Sequence, residues 1–178
     1  MRITGGFLGG RQVKVPGGQI RPAMDRMRES VFAVLGDLSG KSFLDFFSGS
    51  GIIALEAASR GASFIEAVEA DHSKRAILLE NVKISPVRIN CRFMPVELYI
   101  KRAKQRFDLI FCDPPFRHMY KRELLLAISS SILMDKGSLL LLHHPKEEHF
   151  DEEPENLVKI DSREYGRSVV SFYKTCRE

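Results

Sequence analysis

The 178-residue chain has no apolar run approaching the ~20 residues that a membrane-spanning helix needs, so no span is expected. Its first residues, MRITGGFLGGR, hold no apolar stretch of the kind a secretory signal carries, and none is expected. Cysteine is scarce: Cys91, Cys112 and Cys176 stand at separations that fit neither a zinc site nor a redox pair. That excludes a disulfide scaffold and points to reduced thiols filling core or near-core space in a cytoplasmic protein. Metal-ligand spacing is missing too. His143, His144 and His149, with Glu147, are expected to be loop residues after a strand, and no metal is expected. There is no internal repeat and no low-complexity segment.

What is present suits one domain with a small appendage, since 44% of the residues are apolar and can bury a full core. The net charge of +4 is unevenly spread. Residues 1–28 carry Arg2, Arg11, Lys14, Arg21, Arg26 and Arg28 against Asp25 alone, a local charge of +5. Residues 145–155 carry Lys146 against six acids, a local charge of −5. The basic end suggests a polyanionic partner, and the acidic stretch reads as a solvated loop. Lys101, Arg102, Lys104 and Arg106 read as a solvated helix end with favourable dipole placement.

Residues 2–15 read as a small β-hairpin, with Ile3, Val13 and Val15 flanking a glycine-rich centre. It is too small to fold alone and must lean on the rest of the chain. A linker, Pro16-Gly17-Gly18 to Arg21-Pro22, leads to a helix over Arg26–Gly36 with Asp25 as its N-cap and Met27, Val31, Val34 and Leu35 on its apolar face. Strands and helices then alternate. Strands are predicted at Ser42–Phe46, Phe64–Glu69, Arg88–Phe93, Phe107–Cys112, Ser138–Leu142, Val158–Glu164 and Val169–Tyr173. Helices are predicted at Ile52–Arg60, His72–Lys83, Val96–Ala103 and Met119–Leu133. Alternation of this kind gives an α/β protein with a parallel sheet and helices on both faces. The last two strands, joined by Tyr165-Gly166-Arg167-Ser168, close it as an antiparallel hairpin. That is the order of a Rossmann-like class I methyltransferase sheet of seven strands, the last one antiparallel. The boundaries drawn are a basic extension over 1–22 and a main domain over 23–178.

Two stretches carry chemistry. In Leu44-Asp45-Phe46-Phe47-Ser48-Gly49-Ser50-Gly51 the first sheet strand turns through glycines into a helix, which lets a ligand approach the backbone closely. Glu69 ends the next strand and Asp71 comes just after it, where an acid can bind both hydroxyls of a ribose. Gly49-Ser50-Gly51-Ile52-Ile53-Ala54 also fits a dinucleotide pattern, so a nicotinamide oxidoreductase is a rival. The second stretch is Asp108–Phe116, DLIFCDPPF, an apolar strand stopped by two prolines that cannot donate to a ladder. Asp113-Pro114-Pro115-Phe116 is then a stiff arm bearing a carboxylate, carbonyls and an aromatic ring, a set able to hold a planar base by its amino group. Ligands bind doubly wound sheets where strand order reverses, between the first and fourth strands here, so loop and arm are expected to share one cleft.

Together these residues resemble the class I S-adenosylmethionine-dependent amino-methyltransferases, and within them the RsmD family, which methylates the N2 amino group of a guanine in small-subunit (16S) ribosomal RNA. MRITGGFLGGR, RPAMDRMRESVF, LDFFSGSGIIALEAASRGA, IEAVEAD and DLIFCDPPF carry the similarity, which covers nearly the whole chain. The resemblance implies S-adenosylmethionine as cofactor, with Asp45, Ser48, Gly49 and Gly51 at its methionine end and Phe46 also among the cofactor-binding residues. Glu69 would hold the ribose, with Asp71 nearby. It implies Asp113, Pro114, Pro115 and Phe116 as the arm holding the guanine, and Arg2, Arg11, Lys14, Arg21, Arg26 and Arg28 as contacts to RNA. It implies a monomer acting on ribosomal RNA or on an assembling 30S particle. Two departures stand out. Met94-Pro95 replaces an Asn or Asp and a small residue near the adenine, so that contact passes to Val96 or is lost. RPAMD replaces the threonines usual after Arg-Pro. Rivals are an amino-methyltransferase acting on another base or a glutamine, the nicotinamide enzyme, and a non-enzymatic RNA-binding module.

Overall fold

The computed structural model describes residues 1–15, 22–115, 120–148 and 154–176. Arg21, Phe116 and His149 lie outside the described residues. Seven strands form one sheet in the order β3-β2-β1-β4-β5-β7-β6. They are β1 (Ser42–Phe46), β2 (Phe64–Glu69), β3 (Ile89–Phe93), β4 (Leu109–Cys112), β5 (Leu139–Pro145), β6 (Leu157–Tyr165) and β7 (Ser168–Thr175). β1 to β5 are parallel, and β7 runs antiparallel to both β5 and β6. The order reverses between β1 and β4, as the alternating pattern required.

The central strands read as continuous apolar runs because both faces are covered. Alternate residues serve different cores. Phe43, Ile65, Ala67, Leu109, Phe111 and Leu141 pack under α1 (Pro22–Leu35) and α2 (Ile52–Ser59). Leu44, Phe46, Val68, Ile110, Cys112, Leu140 and Leu142 pack under α4 (Val96–Arg102) and α5 (Lys121–Ser130). Between them in the chain, α3 (Arg75–Asn81) joins β2 to β3. All eight residues of α2 are buried, because it is apolar nearly all round and α1 and the N-terminal segment cover it.

The N-terminal segment is less regular than a hairpin. Its one bridge pairs Arg2 with Gln12, and Ile3, Leu8 and Val13 sit in the core beneath α1 and α2. Its turn is docked on the end of α2: the Phe7 N–H donates to the Ser59 carbonyl at 2.9 Å and the Leu8 N–H to Ser59 Oγ at 2.8 Å. A Cβ at Gly6 would lie 1.9 Å from the Ser59 carbonyl oxygen, so only glycine allows this approach. Asn81 ties the segment to the glycine loop after β1, its Nδ2 donating to the carbonyls of Lys14 and Ser50, both at 2.8 Å.

Several expectations need correcting. α1 begins at Pro22, a residue suited to a first helical turn, so Asp25 lies inside the helix rather than capping it. Asp25 bonds Arg28 one turn on, at 2.9 Å. Val34 is exposed rather than on the apolar face. β5 runs three residues past Leu142, which puts His143 and His144 in a buried strand and not in a loop. Cys112 is buried and Cys91 half-buried as expected, but Cys176 is exposed.

Candidate active site

Three segments meet at the carboxyl ends of β1, β2 and β4. The loop after β1 winds through left-handed backbone at Phe47, Gly49 and Gly51, with φ of 61°, 57° and 81°. Gly51 is the fixed point of the loop: a Cβ there would stand 2.6 Å from Leu78 Cδ1, so α3 packs directly on its backbone. The Ser48 N–H donates to the Val68 carbonyl at 3.0 Å, which pins the loop to β2.

Beneath the loop lies Asp45, 1% exposed. Its Oδ2 accepts from Ser48 Oγ at 2.6 Å and from the Ala54 N–H at 3.2 Å. Burial pushes this carboxyl up to about 7, the two hydrogen bonds oppose the shift, and the charges of Asp113 and Glu69 add to it. Glu69 is also buried. Its Oε2 accepts from the Gly49 N–H at 2.7 Å and its Oε1 from the Asp71 N–H at 2.8 Å, so the β2 tip is clasped to the glycine loop. Lys74 Nζ stands 3.6 Å from Glu69. Asp71 itself is exposed and bonds Ser73, whose Oγ–H and N–H hold its carboxyl below the usual range.

Asp113 continues β4 by one residue, its N–H 3.4 Å from the Phe46 carbonyl. Alternation along β4 turns its side chain to the α1–α2 face, the face that Asp45 also serves. Its Oδ1 receives a hydrogen bond from His143 Nδ1 at 2.7 Å. A cleft of about 220 Å³ opens on Asp113, lined by Met1, Met24, Met27, Arg28, Ile52 and Ile53. Pro114 is buried and Pro115 exposed.

Loop and arm lie side by side at the ends of the neighbouring strands β1 and β4, and the cleft on Asp113 is lined by Ile52 and Ile53, just after the loop, rather than by its glycines. Other expected residues stand differently. The Phe46 ring is fully buried in the α4–α5 core, edge-on to Tyr99, so only its backbone reaches the site. Val96 buries its side chain in the same core as the first residue of α4, so only its backbone is left to meet a ligand. Arg28 is a correction: at 1% exposure it cannot meet RNA, because its guanidinium is committed to Asp25, to the Arg2 carbonyl at 3.0 Å and to Glu56 at 3.4 Å. Arg2, Arg11, Lys14 and Arg26 are exposed, Lys14 in contact with Glu80. His143 was missed. The signal was available in the register: Cys112 pairs with Leu142, so the next residues on the two strands, Asp113 and His143, stand side by side.

The electrostatics restrict the ligand. Asp45, Glu69 and Asp113 converge, and burial, with the charges of the other two added to it, raises Asp45. A ligand with positive charge near Asp45 relieves that repulsion, whereas a pyrophosphate on this loop would add to it. That argues against the nicotinamide enzyme. Among the described residues no group of three His, Cys, Asp or Glu side chains has metal-holding geometry, and no helix is long and apolar enough to cross a membrane.

Comparison with known proteins agrees with the geometry. A family model described as "Conserved hypothetical protein 95" matches residues 1–174. A Bacillus subtilis (strain 168) protein, provisionally named rRNA methyltransferase YlbH, is 29% identical over 98% of this chain and 98% of its own length. Ribosomal RNA small subunit methyltransferase D of Escherichia coli (strain K12) is 32% identical over 78% of this chain and 69% of its own length. The solved structure of an Escherichia coli protein, provisionally named methyltransferase yhhF, superposes with a TM-score of 0.87 at 26% identity, covering 100% of this chain and 99% of that one. The chain belongs to the RsmD family and has the class I methyltransferase fold.

Proposed function

We propose that the protein transfers a methyl group from S-adenosylmethionine to the exocyclic N2 amino group of a guanine in small-subunit (16S) ribosomal RNA. The observation that carries this is the placement of Asp113 and its two prolines beside the glycine loop, across the β1–β4 switch point. The names of the relatives, two of them rRNA methyltransferases, support the substrate class. The converging carboxylates fit a cofactor that carries a sulfonium and an ammonium.

When bound, S-adenosylmethionine supplies an electrophilic methyl group on a positively charged sulfur. Asp45, with Ser48, Gly49 and Gly51, holds its methionine end, and Glu69 accepts from the ribose hydroxyls, with Asp71 beside it. A backbone contact at Val96 serves the adenine. The guanine amino lone pair is delocalised into the ring and is a poor nucleophile. Asp113 and the Pro114 carbonyl each accept one of its N–H bonds, which lets the nitrogen pyramidalise and turn its lone pair to the methyl group. With S-adenosylmethionine bound, the methyl group would pass from sulfur to the nitrogen and leave a neutral thioether, and Asp113 would take the nitrogen's surplus proton and pass it to water. Positioning and electrostatics do most of this work. Pro115 stiffens the arm, and Phe116 is assigned to the base face from its place in the motif. The methionine-lined cleft offers polarisable surface beside the same carboxylate.

The target base is reached in a loop or flipped from a helix. Arg2, Arg11, Lys14, Arg21 and Arg26 bind the RNA backbone, so affinity falls steeply with salt. A salt-independent affinity would sink that assignment. The protein works as a monomer in the cytoplasm, on free RNA or on an assembling 30S particle. The test is transfer from radiolabelled S-adenosylmethionine to small-subunit RNA, free and in partly assembled particles, with nucleoside analysis. N2-methylguanosine at one position is expected. Label in another nucleoside would move the target, and no transfer to any RNA would reject the proposal.

A further inference from the structure

His143 lies on β5, one of the most enclosed strands of the sheet, flanked by β4 and β7. Its ring is 1% exposed, and its backbone pairs with Val170 of β7. Asp113, by contrast, has a side chain 25% exposed, at the point where β4 gives way to the proline arm. A carboxylate in that position is free to rotate about its last bond and to collect water. One contact from the rigid strand restrains it, His143 Nδ1 to Asp113 Oδ1 at 2.7 Å. A nitrogen facing a carboxylate at this distance donates, so Nδ1 carries the hydrogen.

We propose that His143 is a positioning residue for methyl transfer: by occupying Oδ1 it fixes the plane of the Asp113 carboxylate and presents Oδ2 to the amino group of the target base. The assignment rests on the methyltransferase function proposed above. Its logic is division of labour between the two oxygens. Oδ1 is bound by the protein before substrate arrives, and Oδ2 is the oxygen that meets substrate. The alternating pattern along β4 and β5 places both side chains on the α1–α2 face, where the methionine-lined cleft opens. An arm rooted only in a proline turn would lose this alignment, and a misplacement of about 1 Å costs about 100-fold in rate.

Two substitutions separate positioning from simple packing. His143→Leu fills similar space and removes the donor. His143→Asn places an amide N–H close to where Nδ1 stood. Methyl transfer to small-subunit RNA is followed for both beside the wild type, with KM for RNA and for S-adenosylmethionine and the melting temperature of each protein. H143L is expected to lose about 100-fold in kcat, with both KM values within about threefold, and H143N to recover most of that loss. An independent readout is the His143 Nδ1 proton in the NMR spectrum: it is expected far downfield in the wild type and shifted upfield in Asp113→Asn. H143L turning over like the wild type, while the wild type is active, overturns the positioning role alone. Loss of cofactor affinity and of stability in parallel, with no recovery in H143N, assigns His143 to packing and also overturns it. A wild type that transfers no methyl group rejects the proposed function and this role with it, even where the downfield proton is present.

Discussion

Glu56 and Asp45 are both carboxylates sealed from water, and the protein surrounds them in opposite ways. Glu56, 0% exposed in the middle of α2, receives Arg60 and Arg28, and on its outer side the Thr4 N–H at 2.8 Å and Thr4 Oγ1 at 2.9 Å. Every contact is cationic or a donor, and together they lock the N-terminal segment and α1 to α2. Asp45, 1% exposed under the glycine loop, receives one hydroxyl and one backbone N–H, and its charged neighbours Asp113 and Glu69 carry its own sign. A buried charge is costly unless matched. Glu56 is matched by the chain itself and acts as a structural rivet. Under the proposed function Asp45 is matched when the cationic cofactor arrives, which is how a binding site differs from a core.

The contrast can be broken most forcefully at Glu56. Glu56→Ala leaves Arg28 buried with one of its two carboxylate partners, and breaking a buried pair from one side costs about 3–5 kcal/mol. For a chain of this length that is a fall of roughly 6–20 °C in melting temperature. Cofactor affinity of the protein that remains folded is expected to change little. A variant that melts like the wild type would show that Glu56 is not a rivet. Asp113→Ala is the opposite case. Turnover is expected to drop about 100- to 1000-fold, the loss seen when a group aimed at developing charge is removed. Melting temperature and cofactor affinity stay near wild type. If cofactor binding fell as far as turnover, Asp113 would belong with the structural acids.

The same division explains what could be seen in the sequence. β1 and β2 match their predicted spans residue for residue, because each is a short, mostly apolar run entered from polar Lys41 or Ser63 and followed two residues on by polar Ser48 or Asp71. The glycine turn after β1 and the end of β4 at Asp-Pro-Pro were legible because glycine and proline mark the backbone locally. Arg28 was not legible. Among six basic residues near the N-terminus its burial depends on Glu56, 28 positions away, and no local pattern reports a partner at that range. His143 was hidden for a different reason. A polar residue after Ser138–Leu142 looks like the end of a strand, and only the pairing of β4 with β5 shows that it faces Asp113. The start of α1 went wrong because Asp25 imitates a cap, while the proline that opens the helix stands three residues earlier.

The smallest and sharpest test concerns the titration of Asp45. Its carboxyl sits at about 7 in the folded chain against 3.8 unfolded. The folded protein therefore holds a proton that the unfolded chain releases, and between those two values stability of the ligand-free protein declines as pH rises. Above about 7 the decline stops. Asp45→Asn removes this contribution and is expected to flatten the profile, which chemical denaturation at a series of pH values measures. Cofactor binding runs the other way. A cationic ligand prefers the ionised carboxylate, so affinity for S-adenosylmethionine is expected to rise up to tenfold per unit on approaching pH 7, below the range where an α-amino group loses its own charge. Calorimetry with S-adenosylmethionine and S-adenosylhomocysteine divides the effect further. Both carry the ammonium and only the first the sulfonium, so an equal rise for the two places Asp45 at the ammonium. A flat affinity for both in the wild type would mean that no ligand charge reaches Asp45, and it would then be a second Glu56 with poorer partners.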